Sequence, residues 1–413
     1  MKNLERNRAL LEQRLGVRFV IRRIVVRDLK KPRDSTVDTA LLTDQLDDIL
    51  NDPEIQIVVE LMGGIEVPLA FVKRAIQAGK MVITGNKALL AEHGREIFEL
   101  ARQSNVAVLY EAAVAGGIPI IKAVRDSFVG NRFESIHGIL NGTSNYILTR
   151  MTDAGMEFAP ALEEAQALGY AEADPALDVN GWDAAHKAII LASLAYGFWI
   201  APASVLVSGI ENITAADIRF ADALGYRIKL LSTIRVEEGG EIEVRVVPTL
   251  IPKSHVLASV NGVFNAVAVR GDIVGDALFY GRGAGQDPTA SSVLGDLAEA
   301  ASRLRAPQGC AGFTAHELYG QCRPVADAIS KYYLRLAVED RPGVLAQIAG
   351  LLGASDIGIL SVIQPEGPED GPVPLVLTLH DAPHGRMVAT AKSLGELPCM
   401  KAEPVLLHME SFS

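Results

Sequence analysis

Cysteine is scarce in this chain. Its 413 residues hold three, Cys310, Cys322 and Cys399, with no close pair and no metal-type spacing among them. That argues against a disulfide framework or a zinc site and fits a reduced, cytoplasmic setting. Positive charge is in deficit: 39 Lys and Arg against 50 Asp and Glu leave a net charge of −11 at pH 7. An electrostatic footprint for nucleic acid is therefore absent, and that class of partner is set aside. No signal peptide is read at the start. Residues 188–210, AIILASLAYGFWIAPASVLVSGI, carry no charge and are long enough to raise a membrane span, but Gly197 and Pro202 interrupt them and no basic cluster flanks them. They are read as a buried helix, a turn and a strand, in the core or at a subunit contact. No membrane partner is expected.

The length allows two or three domains with a large core. Lys2–Leu15 has Leu4, Leu11 and Leu15 on one side and reads as an amphipathic surface helix. After it come a strand at Phe19–Val26, a strand at Ile55–Leu61, a helix at Val67–Ala78, a strand at Met81–Gly85, a helix at Ala91–Gln103 and a strand at Val106–Tyr110. Strands alternating with helices of this length predict a parallel sheet with crossover helices, whose ligands sit at the carboxyl ends of the strands. Those ends hold Arg27-Asp28, Glu60-Leu61-Met62-Gly63-Gly64 and Thr84-Gly85-Asn86-Lys87. Singly, Gly63-Gly64 is a turn and Lys87 a solvated loop lysine. Together they fit a dinucleotide site, where glycines admit close backbone approach and Lys87 reaches a substrate or cofactor oxygen. The strand and G-x-G-x-x-G turn that should open such a fold are missing, since no glycine-rich loop precedes Gly63. The expectation is that the natural reading frame supplies them just before Met1, and that residues 1–413 bind dinucleotide poorly without them.

The densest concentration of reactive groups is Ala165–Lys187, AQALGYAEADPALDVNGWDAAHK. Asp174-Pro175 and Asn180-Gly181 are turn chemistry, so Glu172, Asp174 and Asp178 fall on an irregular loop, with a helix after Gly181. Asp183 and Lys187, four apart, share one helical face. That spacing alone also describes a solvated surface pair. The uncharged run that follows carries the helix into a core and leaves the lysine at its rim, where it can act as an acid or base near neutrality.

This segment resembles the signature of homoserine dehydrogenases, an Ala-x3-Gly and Asp-Pro followed by Asp-x-x-x-Lys; it is met here by Ala165, Gly169, Asp174, Pro175, Asp178, Gly181, Asp183 and Lys187. The resemblance implies an NADP- or NAD-dependent interconversion of homoserine and aspartate semialdehyde. It implies Lys187 as proton donor and acceptor, with Asp183, Glu172 and Gly169 holding the substrate. It gives Arg27 to the 2′-phosphate of NADP and Gly285 to the nicotinamide, beside Gly63, Thr84 and Lys87, which their place at the strand ends already puts in the cofactor site. The family usually has Thr-Ala-Asn-Lys where this chain has Gly85. Tyr110–Ile121, YEAAVAGGIPII, reads from composition as a tight domain crossover; the resemblance adds a monovalent cation, sodium or potassium, on Glu111 and the carbonyls of Val114, Gly116 and Ile118.

The mixed strands and helices from 133 to 280 predict an α+β domain. Gly281-Arg282-Gly283-Ala284-Gly285 precedes a helix, Ala290–Leu304, expected to pack back on the first domain. From 332 the order is βαββαβ, with Asp340-Arg341-Pro342-Gly343-Val344-Leu345 at the first turn, similar to the ACT family of amino-acid sensors; a plain ferredoxin-like dimerisation module stays open beside it. The fold expected is α/β. Residues 1–110, completed by 286–305, form an incomplete Rossmann-like parallel sheet, followed by a substrate and dimerisation domain at 111–285. A linker at 306–331 leads to a separate ACT-like domain at 332–413. The resemblance also implies threonine as effector and a homodimer or homotetramer. The alternative is a noncatalytic amino-acid-binding subunit that has lost its cofactor turn.

Overall fold

The computed structural model describes residues 1–305, 312–365 and 371–412. Cys310 and the first part of the expected linker lie outside them. The chain forms two compact units, one of Met1–Arg132, Ile189–Pro202 and Phe279–Leu318, the other of Phe133–Ala188, Ala203–Leu278 and Tyr319–Ser413.

The first unit is built on parallel strands Ile57–Glu60, Met81–Thr84 and Val108–Leu109, adjacent in that order, with Ile57 opposite Met81 and Val82 opposite Val108. Apolar residues fall on one stripe of each crossover helix: Phe71, Val72, Ala75 and Ile76 on Glu66–Gln77, and Leu89, Leu90, Ile97, Phe98 and Ala101 on Lys87–Gln103. The helix Gln286–Arg305 sets Val293 and Ala300, two turns apart, against Ile83, Ala107 and Leu109. Each Val, Ile or Leu of this set contributes about 1.5–3 kcal/mol by leaving water, and Ile83→Ala would cost about 2–5 kcal/mol.

Three expectations change here. Lys2–Leu15 is two helices, Lys2–Arg6 and Arg8–Leu15, divided at Asn7 and burying nothing. The strand at Phe19–Val26 shrinks to Ile24–Val25, paired with Leu42–Thr43 rather than with the three-stranded sheet. Arg22 and Arg23 interrupt its apolar run, and no residue from 17 to 28 is buried, so no core stabilises a longer pairing. Third, the unit continues past residue 110 to Arg132 and takes in 189–202. Trp199 explains the second segment. Its indole donates to the Ala91 carbonyl at 3.3 Å and packs on Phe98 and Phe313. The ring lies where a Cβ at Gly94 would be, 2.0 Å from it, so only glycine fits there.

The larger sheet runs Gly275–Arg282, Phe264–Gly271, Phe133–Ile139, Tyr226–Val236, Ile242–Pro252, Val405–Met409, Ile329–Val338, Val373–Pro383, Ile359–Ile363, with Leu206–Val207 also paired to Ile242–Pro252. Helices Gly142–Ala154 and Ala215–Ala223 pack against Tyr226–Val236.

The C-terminal βαββαβ order appears as read, with helices Val344–Ala354 and His384–Gly395. It does not stand apart. Val405–Met409 pairs in parallel with Ile242–Pro252, His408 opposite Thr249 and Met409 opposite Leu250. Arg335 donates to the fully buried Asp217 on Ala215–Ala223 at 2.6 Å, and Tyr333 donates to the same carboxylate at 3.1 Å. Arg245, 1% exposed, ion-pairs with Glu243 and, at 2.6 Å, with Glu410. The stretch before the module is tied down as well, Ile242 N–H donating to Gln321 O at 2.9 Å and Arg323 N–H to Ile242 O at 2.8 Å. Shared strand pairing and buried charge make this part of one sheet, where the sequence suggested a tethered domain.

Candidate active site

The helix Trp182–Tyr196 follows Gly181, whose φ of 90° is a left-handed turn suited to glycine. Asp183 and Lys187 lie on its first two turns, 7% and 8% exposed, which removes the solvated-pair alternative. Lys187 Nζ donates to Asp183 Oδ2 at 2.7 Å and to the Leu140 carbonyl at 2.7 Å. Of three ammonium hydrogens, one remains for a further acceptor.

Leu140 ends the stretch after strand Phe133–Ile139, and the next residue, Asn141, caps the helix Gly142–Ala154, its Oδ1 accepting from Ser144 N–H at 2.7 Å. The Asn141 amide donates to Asp183 Oδ2 at 2.8 Å and to Asp178 Oδ1 at 2.7 Å. Asn265 donates to the Leu140 carbonyl at 2.9 Å. Burial, and next the charge of Asp183, raise the pKa of Asp178, which the Asn141 bond opposes. One buried ammonium thus sits with two carboxylates on a frame of amides, an arrangement that can pass a proton to a substrate oxygen.

The structure joins Asp183, Lys187 and Asp178 but leaves Glu172 and Gly169 on an exposed loop. Gly169 has φ 73° after helix Phe158–Ala167. Thr143 ties that loop to the helix cap by donating to Tyr170 O at 2.7 Å. Asn265 is a member that sequence reading missed, and Asn141 enters both as a helix cap and as a partner of the acids.

The strand ends of the first unit form a second group. Glu60, 1% exposed, accepts from Thr84 Oγ1 and from Met62 N–H, both at 2.6 Å, and burial raises its pKa. Asn86 donates to Gly64 O at 2.8 Å, receives Leu89 N–H at 3.1 Å and so caps Lys87–Gln103. Lys87 is therefore the first residue of a helix, four residues before the expected start, and not a loop lysine. A Cβ at Gly63 or Gly64 would meet nothing within 4 Å. At Gly85 it would come 3.2 Å from a Leu61 methyl group, so the glycine eases that contact. Gly285, φ 121°, opens the helix Gln286–Arg305. Gly117 N–H donates to Arg282 O at 3.0 Å, which brings the glycine-rich loop onto the Gly-Gly-Ile-Pro turn. Arg27 is exposed, two residues beyond Ile24–Val25.

Glu111 is buried, its carboxylate accepting from Ile121 N–H at 2.9 Å and Lys122 N–H at 3.0 Å. Burial pushes its pKa up to about 7. The Gly116 carbonyl accepts from Ser292 Oγ, and Ile118 O from Ile120 N–H. Ala115 and Gly116 have φ of 51° and 33°, which turns this backbone sharply.

Comparison with known proteins agrees with the geometry. The family model for "Homoserine dehydrogenase, NAD binding domain" matches residues 2–111, and that for "Homoserine dehydrogenase" matches 119–298. A homoserine dehydrogenase of Pseudomonas aeruginosa is 44% identical over 99% of this chain and 95% of its own length. The crystal structure of a homoserine dehydrogenase from Thiobacillus denitrificans superposes with a TM-score of 0.92 at 41% identity, covering 100% of this chain and 95% of that one. A hyperthermophilic archaeal homoserine dehydrogenase in complex with NADPH is 28% identical, with a TM-score of 0.55, over 64% of this chain and 76% of that one. With a buried Asp183–Lys187 pair, a parallel-sheet unit matched by an NAD-binding family model, and relatives aligned almost end to end, the chain belongs to the homoserine dehydrogenase family of NAD(P)-dependent oxidoreductases of amino-acid biosynthesis.

Proposed function

We propose that the chain interconverts L-homoserine and L-aspartate 4-semialdehyde, with Lys187 as the proton donor and acceptor. The observation that carries this is the Lys187 ammonium, buried, held by Asp183 and the Leu140 carbonyl, with one N–H left over. The nicotinamide, when bound, supplies or takes the hydride at the carbonyl carbon. Lys187 gives its remaining proton to the oxygen that becomes the alcohol, and in the reverse direction its neutral amine accepts that proton. Asp183 keeps the lysine aimed and charged partners at hand. The carboxylates of Asp183 and Glu172 suit the substrate's ammonium group, and the left-handed turn at Gly169 presents backbone polar groups from an exposed loop.

For the cofactor we assign Thr84, Lys87 and Gly63 at the strand ends and Gly285 at the mouth of a long helix, where open space above Gly63 and a helix N-terminus both favour a phosphate. Arg27, exposed and cationic, suits the 2′-phosphate of NADP. A monovalent cation fits Glu111 with the carbonyls of Val114, Gly116 and Ile118, because a buried carboxylate with a raised pKa is relieved by a hard cation and turned backbone offers oxygen ligands. The C-terminal βαββαβ region is assigned an ACT-type sensing role with threonine as effector. The protein is taken to act as a homodimer or homotetramer in the cytoplasm.

The test is direct. The purified chain, given aspartate semialdehyde with NADPH or NADH, is expected to consume the reduced nicotinamide, seen by its near-ultraviolet absorbance. No turnover with either cofactor would refute the activity. A threonine-dependent rise in melting temperature supports the sensor, and its absence leaves the ferredoxin-like region a structural one.

A further inference from the structure

We infer that Asn141 is a positioning residue for proton transfer, its side-chain amide acting as the clip that holds Asp178 and Asp183 around Lys187. The inference rests on the activity proposed above. An amide nitrogen has two hydrogens, and Asn141 gives one to each acid, at 2.7 and 2.8 Å, from a site 4% exposed. The opposite end of the same amide accepts Ser144 N–H at 2.7 Å. That bond fixes which end is nitrogen, since a flipped amide would set its oxygen against two carboxylates and its N–H against an N–H.

The clip matters because two carboxylates within reach of one nitrogen repel each other. Released, they separate or share a proton, and either outcome changes the partner of Lys187. Leu140 and Asn141 work together: adjacent residues supply the carbonyl that receives Lys187 and the amide that holds its counter-ion. Their backbone is fixed from outside. Asn265 holds Leu140 O at 2.9 Å, and a Cβ on the residue after Asn141, Gly142, would lie 2.9 Å from Val263 O, so that residue packs flush against the backbone at Val263. Ser144 Oγ donates to Asp178 O at 2.7 Å, holding the short helix Ala176–Val179 in register with the cap. Asparagine alone meets these demands at this position. Serine or aspartate would cap the helix as well, but serine lacks the two donors and aspartate replaces them with acceptors.

The test uses the full chain. Asn141→Ser keeps the cap and removes the clip; it is expected to lower kcat roughly 10- to 100-fold with a smaller change in KM, because a reacting group has moved rather than a binding group been lost. The acidic limb of its kcat/KM profile should move to higher pH, as the unclipped acids hold a proton longer. Asn141→Asp, nearly the same shape, should lose more, and it serves as the readout if the serine variant melts far below the parent. A second arm does not need turnover. With 15N-labelled lysine, the Lys187 ammonium resonance, assigned by its loss in Lys187→Met, should shift and exchange faster in either variant. Kinetics within twofold of the parent with an unmoved pH profile, or an unchanged Lys187 resonance, would overturn the inference. A parent chain inactive on the aldehyde counts against the activity alone, and the resonance then decides the clip.

Discussion

Lys187→Met separates two consequences of one side chain. The ion pair it removes is nearly dry, each side chain 10% exposed with 2.7 Å between Nζ and Oδ2. Removing one partner of a buried pair costs about 3–5 kcal/mol, chiefly because the remaining charge is stranded. Here Asn141 still donates to Asp183, and the methionine stem fills much of the lysine's volume. The net loss should be about 2–4 kcal/mol against a total margin of about 5–15, a fall in melting temperature of roughly 2–5 °C for a chain of this length. Turnover of aspartate semialdehyde should drop about 10²- to 10⁴-fold as the proton carrier disappears. The double variant Asp183→Asn, Lys187→Met tells the effects apart: with no stranded charge it should regain most of the stability and none of the activity. Calorimetric melting and the nicotinamide absorbance assay on all three proteins suffice. Turnover within tenfold of the parent in Lys187→Met would remove the lysine from the mechanism, and a double variant no more stable than the single would show that stranding Asp183 is not what costs stability.

Other expectations are independent of that one. Arg335→Met leaves the fully buried Asp217 without its guanidinium and should cost about 3 kcal/mol, read as a lower urea midpoint; an unchanged midpoint would mean the C-terminal part of the sheet is held elsewhere. Burial lowers His137 from its ordinary value of 6.5 to about 4, with Arg245 and Arg235 in the same direction and Glu410 opposing. The unfolded chain therefore binds the proton first, so stability is whole above pH 6.5 and falls by a few kcal/mol as pH drops towards 4. His137→Phe should flatten part of that slope, and a slope identical to the parent's would exclude the histidine. Glu111→Gln should abolish any rise in melting temperature given by sodium or potassium over choline; a rise that survives would place the cation elsewhere.

The sequence was most legible where a pattern is local. Alternation of strand and helix from Ile57 to Leu109 predicted the parallel sheet because each element buries a face of its own period. Asp183 and Lys187 were legible because one helical turn fixes their distance. The Lys87 helix start was within reach, since Asn86 is a cap ahead of an apolar run, but the expected boundary fell at Ala91. What depends on separation was not legible. Asn141 meets acids 37 and 42 residues away, and Asn265 reaches Leu140 across 125. The apolar run after Pro404 marks Pro404–His408 as a strand without saying which strand it joins. Phe19–Val26 failed for the converse reason: its local pattern suited a strand, but none of its residues is buried.

The pairing of Val405–Met409 with Ile242–Pro252 also sets an order of events at the ribosome. On that side of Ile242–Pro252, Arg245 and Val246 pair with Leu206–Val207, which is synthesised earlier. Thr249 and Leu250 wait for His408 and Met409, about 160 residues later, and Arg245 waits as long for Glu410. At roughly 5–20 residues per second, that stretch of strand and a buried-to-be guanidinium stay open for about 10–30 s. Nascent chains of this protein should therefore be most prone to wrong strand pairing after Pro252 emerges and before Met409 does, and a pause in translation within that interval would lengthen the exposure.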